Sequence, residues 1–238
     1  METVLLIIHF IGIVSFSAAG AMVAIDHETD WFGVIFLSII TCFGGGLLRD
    51  VIAGQVIGRE LPVLFTDLDL EIIVSIFTAL VVFFLAFIFK KKYVEEEEFV
   101  NKINNVLDAL GIGVFSAAGT GDYLAAGPLV AITMGMISSV GGSLTRDIML
   151  RDVPFILRKR IYALATLIGS AVYYLIAAVI MPGNESASVV ATIACTAVIF
   201  TIRMCATAFK WNMPKAIKFS ELRSVESKPE TEKTEVKK

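Results

Sequence analysis

Seven stretches of this chain are long and apolar enough to be at home only where water is absent. They cover approximately residues 3–25, 31–51, 72–89, 106–124, 126–150, 161–181 and 187–208. A helix of about 20 apolar residues crosses the hydrocarbon of a bilayer, and in lipid only helices and closed barrels satisfy their own backbone groups. The runs are continuous and long, not short and alternating, which selects helices. The expected fold class is an all-α membrane protein with seven transmembrane helices. Composition agrees: 56% of the 238 residues are hydrophobic and 18% are charged, against about 25% charged in soluble chains.

Lys and Arg set the expected orientation. On the side where the first run begins, Arg59 is the main positive charge; the other side carries Lys90, Lys91, Lys92, Lys102, Arg151, Arg158, Lys159, Arg160 and a tail beginning at Lys210. The basic side is expected to be cytoplasmic. The N-terminus is then outside and the C-terminus inside, in a multi-pass protein of the cell (inner) membrane. The small residues "SAAGA" in the first run resemble a signal-peptide cleavage site. No Lys or Arg precedes that run, however, and its small-residue phrase recurs deep in the chain, so the run is taken as a true span. Residues 90–102, three lysines followed by four glutamates, read as a charged linker, and residues 211–238 as a disordered cytoplasmic tail.

The chain repeats itself. "FSAAG" at 16–20 returns at 115–119; Arg49 and Asp50 return as Arg146 and Asp147; "RELP" at 59–62 returns as "RDVP" at 151–154. Three phrases in the same order divide the chain into a first three-helix unit, 1–89, and a second, 103–181, with a seventh helix at 186–208 outside the repeat. Three crossings deliver the second unit to the membrane upside down. The expected architecture is an inverted repeat with its axis in the membrane plane.

Nothing in the sequence points to catalysis. Cys42, Cys195 and Cys205 are odd in number, lie within spans and have no metal-ligand spacing; the two histidines, His9 and His27, belong to no zinc or nucleophile motif. No enzyme activity, metal, cofactor or nucleic-acid partner is expected.

The chemistry sits in the phrases "CFGGGLLRD" at 42–50 and "SVGGSLTRD" at 139–147. Glycine weakens a helix and charge is expensive in lipid, so each copy needs a reason. Gly44, Gly45, Gly46, Gly141 and Gly142, with Ser143 in the third position of the second copy, permit a hinge or kink near the midplane. Arg49 with Asp50, and Arg146 with Asp147, then form a polar station on each side of it. Alternatively, the glycines only let helices pack closely while the arginines snorkel. Thr41 and Ser138, one turn before the glycines, are candidate pore-lining residues or bond their own helix carbonyls. Adjacent residues on a helix point apart, so the expected charge partners lie elsewhere, Asp108 for Arg146 and Arg203 for Asp147. His9 stands where Asp108 stands in the other half, which leaves Arg49 with a weaker clamp.

The glycine-Arg-Asp phrases in the second and fifth of seven spans, with "FSAAG" duplicated, resemble the prokaryotic branch of the trimeric intracellular cation channels over about residues 4–208. The resemblance implies a homotrimer in membrane lipid with one pore per protomer, passing potassium and other monovalent cations. It also implies that the glycines kink two pore-lining helices, with Gly44, Gly45, Gly46, Arg49, Asp50, Gly141, Gly142, Arg146 and Asp147 as the corresponding residues. Ser143 departs from the glycine pattern, and the lysine-based lipid-binding motif of the animal members is not apparent. Related sequences carry the label of amino-acid, particularly glycine, transporters. A secondary transporter of a small amino acid is therefore the alternative, and a structural protein without transport is a third class.

Overall fold

The computed structural model describes residues 2–53, 69–158 and 161–211. The expected features at Arg59, at 59–62 and in the tail beyond residue 211 lie outside the described residues. Helices α1 (Glu2–Asp26), α2 (Trp31–Ala53) and α3 (Asp69–Ile88) are followed by a short α4 (Lys90–Glu95). Then come α5 (Glu97–Asp122), α6 (Pro128–Met149), the single turn α7 (Phe155–Arg158), α8 (Ile161–Tyr174) and α9 (Ala187–Ala208). The apolar run through α8 ends in π-helical turns at Leu175–Ile180. The charged segment 90–102 is helical, and α5 begins within it at Glu97, stapled by a Lys102–Glu98 pair at 2.8 Å.

Six of these helices are long and apolar enough to cross a membrane. The seventh spanning helix, α5, is the longest at 26 residues, but its first half carries Asn101, Asn104, Asn105 and Asp108. It sits in the middle of the bundle, packed on α1, α6, α8 and α9. Polar groups there line a cavity that opens at one end of the bundle, which is where such groups are tolerated in a membrane protein.

The inverted repeat can be traced contact by contact. Helices α1, α2 and α3 pack on one another, as do α5, α6 and α8, while α9 packs against the second set. Phe16 and Phe115 hold equivalent places in the two copies, and their rings stack at 5.2 Å. Two equivalent residues in mutual contact lie on the symmetry axis. Around that axis the same bond is made twice: Ser17 Oγ donates to Ser75 Oγ at 2.8 Å, and Ser116 Oγ lies 2.8 Å from Ser170 Oγ. All four serines are fully buried. Each pair ties the first helix of its unit to the third, by interhelical bonds worth roughly 0.6 kcal/mol apiece in lipid.

Candidate functional site

The second helices of the two units, α2 and α6, make the most extensive contact in the bundle. Both run without a break through their glycine phrases. What glycine supplies there is proximity. A methyl group on Gly45 would fall on the carbonyl oxygen of Ser138, with the carbonyl carbon at 2.8 Å, and one on Gly142 would fall on the carbonyl oxygen of Thr41, with its carbon at 2.9 Å. On Gly44 it would lie 3.3 Å from the Cα of Gly142, and on Gly141 2.9 Å from the Cα of Gly45. The helices therefore cross backbone to backbone, in the manner of small-residue crossings in membranes.

Gly46 is different, because a Cβ there would meet nothing within 4 Å. Its counterpart is Ser143, whose Oγ lies 2.9 Å from the buried Tyr162 hydroxyl. The departure from glycine is thus compatible with the crossing. Thr41 and Ser138 are also buried; Thr41 Oγ1 donates to the Leu37 carbonyl at 2.6 Å, the local bond open to a helical threonine.

Beyond the crossing, each Arg-Asp phrase folds into its own ion pair. Arg49 Nε donates to Asp50 Oδ1 at 2.8 Å; Arg146 Nε and one terminal nitrogen donate to Asp147 Oδ1 at 3.0 and 2.8 Å. Adjacent side chains, which point apart, are poorly placed for this. The long arginine stem curls back far enough to bring Nε to its neighbour's carboxylate. All four residues are at least 94% buried, where a charge without a partner would be prohibitive.

The expected Arg146–Asp108 and Asp147–Arg203 pairs are corrected accordingly. Asp108 Oδ2 accepts from Arg203 at 2.8 Å, and its Oδ1 accepts from the Tyr162 hydroxyl at 3.2 Å. The Arg203 guanidinium lies over the Tyr162 ring, 4.3 Å from its centre, and also reaches Asn105 Oδ1 at 3.1 Å. A chain of contacts thus runs from α9 (Arg203) through α5 (Asp108) and α8 (Tyr162) to α6 (Ser143), ending at the second glycine phrase.

The weak clamp expected on Arg49 is also corrected. His9 does replace Asp108 in the first half, but Asp122, at the end of α5, accepts from Arg49 at 2.7 Å. The acid comes from the other repeat. Its counterpart on α1 is Val23, so no copy of the motif announces it; the clue is that an inverted repeat brings the end of α5 beside the end of α2. His9 packs edge-on against Phe115 at 5.8 Å.

At the end of the bundle that holds Arg146, a cavity of about 320 Å³ opens between α1, α5, α6, α8 and α9, with Asp108, Arg146, Asp147, Tyr162 and Arg203 on its walls. His27 joins its rim: Nδ1 donates to the Val23 carbonyl at 2.8 Å, and Nε2 lies 3.1 Å from Asp152 Oδ2, linking the end of α1 to the segment after α6. Among the described residues no cluster of His, Cys, Asp and Glu could hold a metal ion.

Known proteins resemble this chain in sequence and in shape. The profile of a family described as glycine transporter matches residues 6–87 and 105–178. The UPF0126 inner membrane protein YadS of Escherichia coli is 34% identical over 167 residues, 68% of this chain and 74% of that protein. The UPF0126 membrane protein YvgT of Bacillus subtilis is 29% identical over 208 residues, 86% of this chain and 92% of its own length. Among solved structures, the trimeric intracellular cation channel (TRIC) orthologue from Rhodobacter sphaeroides superimposes with a TM-score of 0.72 at 28% identity, covering 88% of this chain and all of that one. A chain solved to explain conductance through TRIC cation channels gives 0.72 at 27%, covering 89% and 97%.

Proposed function

The chain belongs to the glycine-transporter family, the prokaryotic branch of the TRIC cation channels, and we propose that it is a channel for monovalent cations, chiefly potassium. Each protomer of a homotrimer carries its own pore. The path runs along the α2–α6 crossing, from the Asp122 end to the cavity at the Asp108 end. The single observation that carries this reading is the pair of Arg-Asp stations on either side of a backbone-to-backbone glycine crossing, set in the fold of solved TRIC channels.

The crossing is the closed constriction. Flexing of α2 and α6 at Gly44, Gly45, Gly46, Gly141, Gly142 and Ser143 parts them, and Thr41 and Ser138 then face the opened path. Two arginines beside a cation path would repel the ion, so Arg49 and Arg146 act as gate elements, neutralised by Asp50, Asp122 and Asp147. The latch from Arg203 to Ser143 holds the inner station shut. The N-terminus faces out and the C-terminus the cytoplasm, by the excess of lysine and arginine at the Asp108 end.

Purified protein in liposomes loaded with potassium tests this reading. A channel releases potassium at a rate that rises with the gradient without saturating, and Gly45→Leu abolishes the release while the protein still inserts. Saturable uptake of a small amino acid, with no potassium release, would overturn it. Native mass measurement in detergent tests the trimer.

A further inference from the structure

The two ends of the bundle differ in one stripe of residues. On α5, Asn101, Asn104, Asn105 and Asp108 follow the spacing i, i+3, i+4, i+7, so they share one helix face, and all four line the 320 Å³ cavity. The repeat puts their counterparts on α1 at Glu2, Leu5, Leu6 and His9. Those four line a second cavity, of about 450 Å³, at the opposite end of the bundle beside Asp122. Two positions are amides at one mouth and leucines at the other.

The amides are not used up in holding the fold together. Asn105 is bonded to Arg203 and to Thr207 Oγ1. Asn104 Oδ1, by contrast, is buried with no hydrogen-bond partner. In the same cavity Arg203 Nε is also unpaired, on a residue that is 96% buried. A buried polar atom without a partner is costly unless something in the cavity meets it. Neither atom touches water as the side chains stand; turning the Asn104 amide toward the cavity it lines gives its oxygen a partner there. A neutral amide oxygen can replace part of a cation's hydration without binding it so tightly that it cannot leave. Leucine offers no such exchange.

We infer that Asn104, with Asn101 at the rim, admits hydrated cations at the Asp108 mouth, while Leu5 and Leu6 leave the matching positions of the Asp122 mouth without polar groups, so that entry is easier from the Asp108 end. This rests on the channel reading and assigns the residues that give it direction.

Two measurements on the full chain test it. In planar bilayers with equal KCl on both sides, wild type passes more current for cations entering at the Asp108 end. Asn104→Leu lowers that current about two- to tenfold, the span of one hydrogen-bond-sized interaction, and Leu5→Asn raises the opposite current by a similar factor. Currents in both directions unchanged by both variants overturn the inference. The second measurement needs no current. In nanodiscs, where both faces meet the reagent, Asn104→Cys and Leu5→Cys are labelled with a small charged thiol reagent and read by peptide mass, so the native cysteines stay in place. The two positions lie at equivalent depth and both are half-buried, so their rates compare hydration. Faster reaction at 104 supports the inference even if the protein passes no current; equal or faster reaction at 5 overturns it even if the channel reading stands.

Discussion

The glycine crossing predicts opposite outcomes for the same mutation at neighbouring positions. In Gly45→Ala the added methyl lands on the Ser138 carbonyl, 2.8 Å from its carbon, where ordinary carbon–carbon contact needs about 3.5–4.0 Å. The obstacle is the backbone of another helix, which no rotamer change removes, so α2 and α6 must part by about 1 Å. Overpacking of this kind costs about 1–3 kcal/mol. In Gly46→Ala the methyl enters open space, and alanine is the better helix former by about 1 kcal/mol. The assay is thermal unfolding in mild detergent, followed by loss of the monodisperse peak in size-exclusion chromatography. Gly45→Ala should lower the midpoint and Gly46→Ala should hold or raise it. Gly142→Ala, the counterpart facing the Thr41 carbonyl, should match Gly45→Ala. Equal stability of the Gly45 and Gly46 variants would refute the close crossing.

Other residues give equally direct tests. Tyr162→Phe keeps the ring under Arg203 but removes the hydroxyl shared by Asp108 and Ser143; unfolding midpoints should report a loss of about 1–3 kcal/mol, and single-channel records a higher open probability. Asp122→Asn leaves Arg49 with Asp50 alone; because the Asp122 side chain is 39% exposed, the loss should be about 1 kcal/mol, with the change in gating confined to the Asp122 end. A double-mutant cycle on unfolding with Asp108→Asn and Arg203→Gln should give coupling above about 0.5 kcal/mol, and larger than that of Asp108→Asn with Arg146→Gln, a pair not in direct contact. Ser17→Ala and Ser116→Ala should cost similar amounts, roughly 0.6 kcal/mol each in lipid, since each deletes the same bond in one copy of the repeat.

The spans and the inverted repeat were legible because hydropathy and duplicated phrases are local signals. Phe16 and Phe115 were flagged as repeat mates in the sequence and touch in the structure. What sequence could not supply was the partner of each charge. The Arg203–Asp108 bond joins helices 95 residues apart, and the pairs within each Arg-Asp phrase depend on how an arginine stem curls, which spacing does not encode. Asp122 escaped notice because Val23 fills its place in the other copy, and repeats point only to what they share. The use of glycine was ambiguous for a physical reason: hinge and close contact call for the same residue. Gly45, Gly141 and Gly142 make the contact backbone to backbone, whereas Gly46 has open space, so within the two phrases the packing demands glycine at those three positions and not at Gly46.

The central claim is conduction of cations through this bundle, and reversal potential tests it most directly. Purified wild-type protein in a planar bilayer under a tenfold KCl gradient should give discrete current steps. Their reversal should approach the value for a selective monovalent cation path, about 59 mV in magnitude, with the sign that marks potassium as the carrier. Steps that reverse near zero, or with the sign of chloride, would contradict the account, as would a bilayer that stays silent while the same protein takes up a small amino acid.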